Sequence, residues 1–141
     1  MSTIVYGIQL SPFTRKVLMA LEMLGVEYEN TPTTPLALPE NFREISPLAK
    51  VPGFQDEHIS VSDSSVICSY LDAKYGNNSI FPQDLIQRTK ALWFEEYADT
   101  KLAELCGDLF FESVVKPNFL KQETDQGRVI RIIEEEMPVA M

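Results

Sequence analysis

The sequence predicts an α/β domain over residues 1–80, followed by an all-α stretch over residues 81–141. Three observations predict it. Short β-branched and aromatic runs alternate with apolar residues at helical spacing as far as Gly76. Pro32, Pro35, Pro39, Pro47 and Pro52 crowd the middle of that first stretch and permit only short elements there. Beyond Pro82 the apolar period becomes purely helical.

Thr3-Ile4-Val5-Tyr6-Gly7 reads as a strand, and Gln9-Leu10-Ser11-Pro12 as the turn after it. Phe13, Val17, Leu21 and Leu24 then share one face of a helix. Ser11 suits the N-cap, Pro12 the first helical position, where a missing N–H costs nothing, and Gly25 a left-handed end. Val26 and Tyr28 begin a second strand. Residues 31–47 read as a loop with one short helix near 40–45. Val51-Pro52-Gly53-Phe54-Gln55 and His58-Ile59-Ser60-Val61 form a hairpin around an Asp56-Glu57 turn. A further helix starts at Asp63-Ser64-Ser65, carries Ile67, Leu71 and Tyr75, and stops at Gly76. The order is β-α-β-α-β-β-α.

Residues 77–82 read as a linker. A long helix is expected from Asp84 to near Glu112 through Ile86, Leu92, Trp93, Tyr97, Leu102, Leu105 and Leu109, with Trp93, Phe94 and Tyr97 as helix core. A second is expected over residues 125–137 through Val129, Ile130, Ile132 and Ile133, ended by Pro138. Two helices cannot close a helical domain, because each needs apolar partners on more than one side. The second part is therefore expected to be incomplete: a fragment, a truncated product, or part of an assembly that another chain completes.

The net charge of −9 divides as −4 over residues 1–80 and −5 over residues 81–141, with Lys and Arg scattered. Nucleic acid is excluded as a partner, and any anionic ligand must be held by local donors. No apolar stretch is long enough to cross a bilayer, and Met1-Ser2-Thr3-Ile4 runs into a strand without a basic leader, so a cytoplasmic protein without a membrane partner is expected. Cys68 and Cys106 have no metal-type spacing and are expected to be two buried thiols. No residue cluster suggests a metal. His58, in the hairpin turn, is expected to be solvated and is given no role.

Three places carry chemistry. Ser11 opens a helix, where a hydroxyl beside free N–H groups suits an anion such as a thiolate; it equally suits a plain N-cap. Lys50-Val51-Pro52 precedes a strand. If the Val51–Pro52 bond is cis, the N–H and C=O of Val51 face outward, ready to pair with an extended peptide; a trans proline at a strand edge is the alternative. Asp63-Ser64 opens another helix. Its N–H and hydroxyl suit a carboxylate and the Asp63 side chain suits an ammonium, together an amino-acid head group; a simple capping pair is the alternative.

The runs Ser11-Pro12-Phe13-Thr14-Arg15-Lys16-Val17, Lys50-Val51-Pro52-Gly53-Phe54 and Ser62-Asp63-Ser64-Ser65-Val66-Ile67, in this order and spacing, resemble the cytosolic glutathione transferases of the serine type, bacterial or phi/theta-like. The resemblance implies a thioredoxin-like glutathione-binding domain over residues 1–80 and a partial helical C-terminal domain over residues 81–141. It implies that Ser11 bonds the glutathione sulfur, that Val51 pairs with the cysteinyl backbone beside a cis Pro52, that Asp63 and Ser64 hold the γ-glutamyl head, and that Lys50 reaches the glycyl carboxylate. Glutathione is then the co-substrate and a small electrophile the second substrate, in a cytoplasmic homodimer that serves detoxification without a metal. Members with a cysteine at the start of this helix exchange disulfides; Ser11 with no neighbouring thiol disfavours that. Tyr6, inside the first strand, is expected to be core and not a catalytic phenol. The rival reading is a non-catalytic binding or regulatory module with the same fold.

Overall fold

The computed structural model describes residues 2–76 and 79–141. Of the expected linker, Asn77 and Asn78 lie outside the described residues. The chain forms two compact units, residues 1–91 and 92–141.

The first unit runs β1 (Ile4–Tyr6), α1 (Pro12–Leu24), β2 (Glu29–Thr31), α2 (Phe42–Ile45), β3 (Gly53–Gln55), β4 (Ser60–Ser62) and α3 (Ser64–Leu71), and a π-type turn over Asp72–Gly76 prolongs the last helix. The sheet order is β2-β1-β3-β4, with β1 and β2 parallel and the other neighbours antiparallel. A parallel pair needs a crossover, which α1 supplies. This is the expected thioredoxin-like order.

Gly25 ends α1 at φ 65, the left-handed conformation that glycine adopts without a Cβ penalty. Its neighbour Val26 donates its N–H to Leu21 O at 3.0 Å. That bond is why β2 starts later than Val26: pairing begins where Glu29 N–H reaches Thr3 O, at 2.8 Å. Val26 and Tyr28 still pack against the core.

Alternate residues of the strands divide the two faces of the sheet. Val5 and Phe54 are fully buried with Val17, Leu18 and Leu21 of α1, Ile67, Cys68 and Leu71 of α3, and Phe81. Tyr6 meets the ring of Phe42 at a centroid distance of 5.8 Å. Phe42 is 1% exposed, a burial that stabilises by roughly 1.5–3 kcal/mol. Its ring lies against Gly53, where a Cβ would stand 2.7 Å from Phe42 Cε2, so a glycine is needed just after Pro52. Tyr6 is half-buried, as a part-core residue, and its hydroxyl donates to Gln55 Oε1 at 3.1 Å.

The long helix begins at Leu85 as α4 (Leu85–Tyr97) and continues through a π-type turn (Ala98–Leu102), α5 (Ala103–Phe110) and a π-type stretch (Phe111–Leu120). It therefore passes well beyond Glu112, the expected end. Pro117 falls within the π-type stretch, whose wider turns leave room for a ring that would clash in a regular helix. Lys121, left-handed at φ 55, ends it.

The last helix starts at α6 (Gln126–Arg131), capped by Asp125, which accepts from Arg128 N–H at 2.9 Å. A π-type turn (Ile132–Glu136) and α7 (Met137–Ala140) follow. Here the expectation fails: Pro138 does not end the helix but sits in the first turn of α7, where the π-type turn before it removes the conflict with the carbonyl four residues back.

The second unit has a small core of Leu105, Ile132 and Ala140, joined by Leu102, Leu109 and Met137. Arg128 ties α6 to Asp108 at 2.6 Å and to Glu136, and Glu112 accepts the Asp125 N–H at 2.9 Å. Two further expectations are corrected. Trp93 and Phe94 are 59% and 65% exposed and are not helix core. Cys106 is exposed while Cys68 is buried. One step along α5 turns a side chain about 100° from its neighbour, so with Leu105 pointing inward Cys106 points out.

Candidate functional site

Ser11 stands at the N-cap of α1 with an extended backbone, φ −76 and ψ 122, and its Oγ accepts the Thr14 N–H at 3.3 Å. As the acceptor in that bond, the hydroxyl keeps its proton for an outside acceptor. The helix is seated by Thr14, fully buried against Gly7, where a Cβ would come 2.4 Å from Thr14 Oγ1. Glycine at this position lets the first turn of α1 lie directly on the end of β1. Thr14 Oγ1 finds no hydrogen-bond partner among the described residues.

The Val51–Pro52 bond is cis. The loop before it is clamped by Ser46, 1% exposed, whose hydroxyl donates to Lys50 O at 2.8 Å and accepts Lys50 N–H at 3.0 Å. Both backbone groups of Lys50 are thereby used, and its side chain is exposed. The Val51 N–H and C=O enter none of the hydrogen bonds described for this loop. Ala49 is held at φ 56, a region that costs a non-glycine residue about 1–3 kcal/mol and persists only where the surroundings impose it.

Asp63 is the N-cap of α3, at φ 83 and ψ 120, again in a sparsely populated region. One carboxylate oxygen accepts from both Ser65 N–H, at 3.0 Å, and Val66 N–H, at 3.2 Å. The side chain is exposed. Ser64 is 4% exposed and occupies the first helical position, whose N–H has no carbonyl within the helix to reach. Lys16 of α1 reaches across to α3 and donates to Ser65 Oγ at 3.0 Å.

Strand register brings these places together. Tyr6 of β1 is paired with Gly53 of β3, and Gly53 with Ser62 of β4. The turn to Ser11 leaves β1 just after Tyr6, Pro52 enters β3 just before Gly53, and Asp63 follows Ser62. All three therefore emerge at one end of the sheet. Crossing from β1 to β4 covers two strand spacings, about 10 Å, which is also the length of about three extended residues.

At the opposite end of β3 and β4, the Asp56-Glu57 turn is anchored by buried Asp56. It accepts from His58 N–H (2.8 Å), Ile59 N–H (3.0 Å), Tyr70 Oη (2.8 Å) and Lys74 Nζ (2.9 Å). Burial alone would raise its pKa, but these four donors, Lys74 foremost, hold the carboxyl well below the ordinary range. Lys74 is shifted up by its bonds to Tyr75 and Asp56, and Tyr70 is shifted up by burial and by Asp56. Asp72, 2% exposed, accepts Ile80 N–H at 2.8 Å and Phe81 N–H at 3.3 Å. Ser46 and Asp72 have no part in the sequence-based expectations, which place Asp56 in the hairpin turn alone and Thr14 only within the Ser11–Val17 run. Nothing local marks a lone serine or aspartate as the clamp of a distant backbone. His58 is exposed and lies 3.0 Å from Glu57. Among the described residues, no group of three or more His, Cys, Asp or Glu is placed to hold a metal ion. No helix among them is long and apolar enough to cross a membrane.

Residues 5–79 match the family described as "Glutathione S-transferase, N-terminal domain". Glutathione S-transferase U4 of Arabidopsis thaliana is 35% identical over 111 residues, 78% of this chain and 48% of the relative. The chain spans about half the length of the curated relatives it matches. Glutathione transferase F2 of Populus trichocarpa superposes with a TM-score of 0.82 at 26% identity, over 98% of this chain and 66% of that one. A theta class glutathione S-transferase of Xanthomonas axonopodis pv. citri, with glutathione bound, superposes at 0.83 and 23% identity over 99% of this chain and 67% of that one, a likeness of fold.

Proposed function

The chain belongs to the glutathione S-transferase family, and from that premise we propose that it is a glutathione transferase which binds glutathione across the sheet end where Ser11, Val51, Pro52, Asp63 and Ser64 emerge. The observation that carries the reading is the register Tyr6–Gly53–Ser62, which aligns a helix mouth, a cis-proline loop and a second helix mouth over the length of a tripeptide. The glutathione bound to the Xanthomonas relative of the same fold agrees with it.

In this reading the cysteinyl unit pairs with the Val51 backbone as an added strand, with Pro52 cis beside it. The γ-glutamyl ammonium meets the Asp63 carboxylate and its carboxylate meets the N–H and hydroxyl of Ser64, at the positive end of α3. Lys50, exposed on the same loop, reaches the glycyl carboxylate. Ser11 donates its hydroxyl proton to the sulfur at the mouth of α1, which makes the chain a serine-type member. The free thiol has a pKa of about 8.5, and the thiolate is the nucleophile. One such bond plus the helix N-terminus lowers that value by roughly one to two units, about 1.4 kcal/mol each. The thiol proton leaves to solvent, and the thiolate forms a C–S bond at the electrophilic carbon, whose π bond opens and takes up a proton from solvent or whose leaving group departs to solvent with its electron pair. No metal takes part.

We assign residues 1–80 to the glutathione domain and residues 81–141 to a partial helical domain. We assign the protein a cytoplasmic location, a detoxifying role and a two-fold dimer. Calorimetric titration with glutathione tests the reading: saturable one-site binding is expected, with amide chemical shifts changing at Ser11, Val51 and Ser64. Binding that shifts amides elsewhere, or no binding, overturns it.

A further inference from the structure

Ser46 closes α2, and its N–H, C=O and hydroxyl are all engaged. The N–H reaches Phe42 O at 2.8 Å and the C=O accepts the Ala49 N–H at 2.8 Å. The hydroxyl donates to Lys50 O at 2.8 Å and accepts the Lys50 N–H at 3.0 Å. Ala49, held at φ 56, is the turn that brings the chain back to Ser46. One buried residue thus joins the helix whose Phe42 ring lies against Gly53 to the residue before Val51.

The pair of bonds to one oxygen fixes the direction of the backbone. Along a helix the N–H and C=O of a residue point opposite ways, whereas in extended backbone they point the same way, and one neighbour can meet both. Lys50 is therefore extended, with both groups turned toward Ser46. Successive residues of an extended segment present these groups on opposite sides. Val51 precedes a proline, which confines it to extended conformations, so its N–H and C=O face away from Ser46. Neither enters a hydrogen bond among the described residues. Lys50 itself is exposed. Without the Ser46 hydroxyl its N–H and C=O can turn to water, and the phase that aims Val51 is lost.

We propose that Ser46 is a positioning residue for the cysteinyl unit of glutathione: by holding both backbone groups of Lys50, its hydroxyl turns both backbone groups of Val51 toward the peptide. This rests on the glutathione reading above and adds to it a buried residue that touches neither substrate. A serine that merely braces the loop would, on removal, weaken every bound peptide by the same factor. Ser46 acts through the cysteinyl N–H and C=O, so its removal weakens most the peptide that uses both.

The test titrates wild type, Ser46→Ala and Ser46→Cys calorimetrically with glutathione and with its depsipeptide, in which an ester oxygen replaces the cysteinyl N–H. Cysteine fills the space of serine but is a weak donor and acceptor. Wild type is expected to bind glutathione about tenfold more tightly than the depsipeptide, the worth of one hydrogen bond. In both variants, at a temperature where circular dichroism shows them folded, that preference falls below about threefold. A larger preference kept by either variant overturns the assignment, even where both affinities fall. Amide hydrogen exchange of the wild-type chain tests the geometry without a substitution: Lys50 N–H is protected in the free chain, and Val51 N–H becomes protected only with glutathione. Exchange of Lys50 N–H as fast as that of Val51 in the free chain overturns the assignment too. A wild-type chain that binds both peptides equally removes the pairing at Val51 and with it the role of Ser46, leaving glutathione binding in place. One that binds neither overturns the glutathione reading as well.

Discussion

Ser11 combines two tasks in one hydroxyl, and two substitutions separate them. Ser11→Ala removes both the acceptor that caps Thr14 N–H and the proton offered to sulfur. Ser11→Asp keeps an acceptor at the cap but replaces the donor with a negative charge. The capping bond is long, 3.3 Å, so its loss belongs at the lower end of the usual range, about 0.5–1 kcal/mol. For a chain of this size that lowers the thermal midpoint by about 2–4 °C. Aspartate caps as well as serine, so Ser11→Asp melts within about 1 °C of wild type. A hydrogen bond to a charged acceptor is worth about 1.5–3 kcal/mol, which equals roughly one to two pKa units on the bound thiol. Because the bond favours the thiolate, its loss moves the thiol pKa upward, toward about 8.5. At pH 7 the thiolate fraction of bound glutathione then falls about eight- to twenty-fivefold. Aspartate adds repulsion and moves the pKa at least as far. Ultraviolet absorbance of the thiolate, titrated against pH at saturating glutathione, measures this directly, and circular dichroism follows melting. A bound thiol that titrates identically in wild type and either variant would refute the role of Ser11, whatever happens to stability.

Asp63→Asn keeps the cap on Ser65 and Val66 but loses the charge assigned to the γ-glutamyl ammonium. Glutathione affinity is expected to fall about tenfold with the melting point unchanged, and equal affinity by calorimetry would remove the head-group assignment. Asp56 supplies a pH dependence. Its folded-state pKa is depressed below the unfolded value near 3.9, so its contribution is complete above about pH 4 and is lost as the pH falls through the folded-state value. Denaturant unfolding should therefore show stability dropping on the acid side in wild type, and a shallower drop in Asp56→Asn, which also costs about 2–4 kcal/mol at neutral pH. Parallel acid limbs for the two chains would count against the network around Asp56.

What the residues determined by themselves is the set of features settled within a turn or two of chain. Ser11, Pro12 and Gly25 bound α1, and Asp63 and Gly76 bound the helix after β4, because caps, prolines and left-handed glycines act on backbone groups at most a few residues away. The order of strands and helices was legible for the same reason. Tertiary structure decided the rest, through contacts whose partners lie far apart in sequence. The isomer before Pro52 is set in a loop where Ser46 grips Lys50 and Phe42 lies against Gly53. The common level of Ser11, Pro52 and Asp63 comes from cross-strand register, which no single segment encodes. Pro138 remains helical because wide turns precede it, and Trp93, Phe94 and Cys106 are exposed because an apolar period says that one face of a helix is buried without saying which residues find a partner. Local rules follow from hydrogen bonds a few residues long, whereas site geometry follows from how separate elements pack.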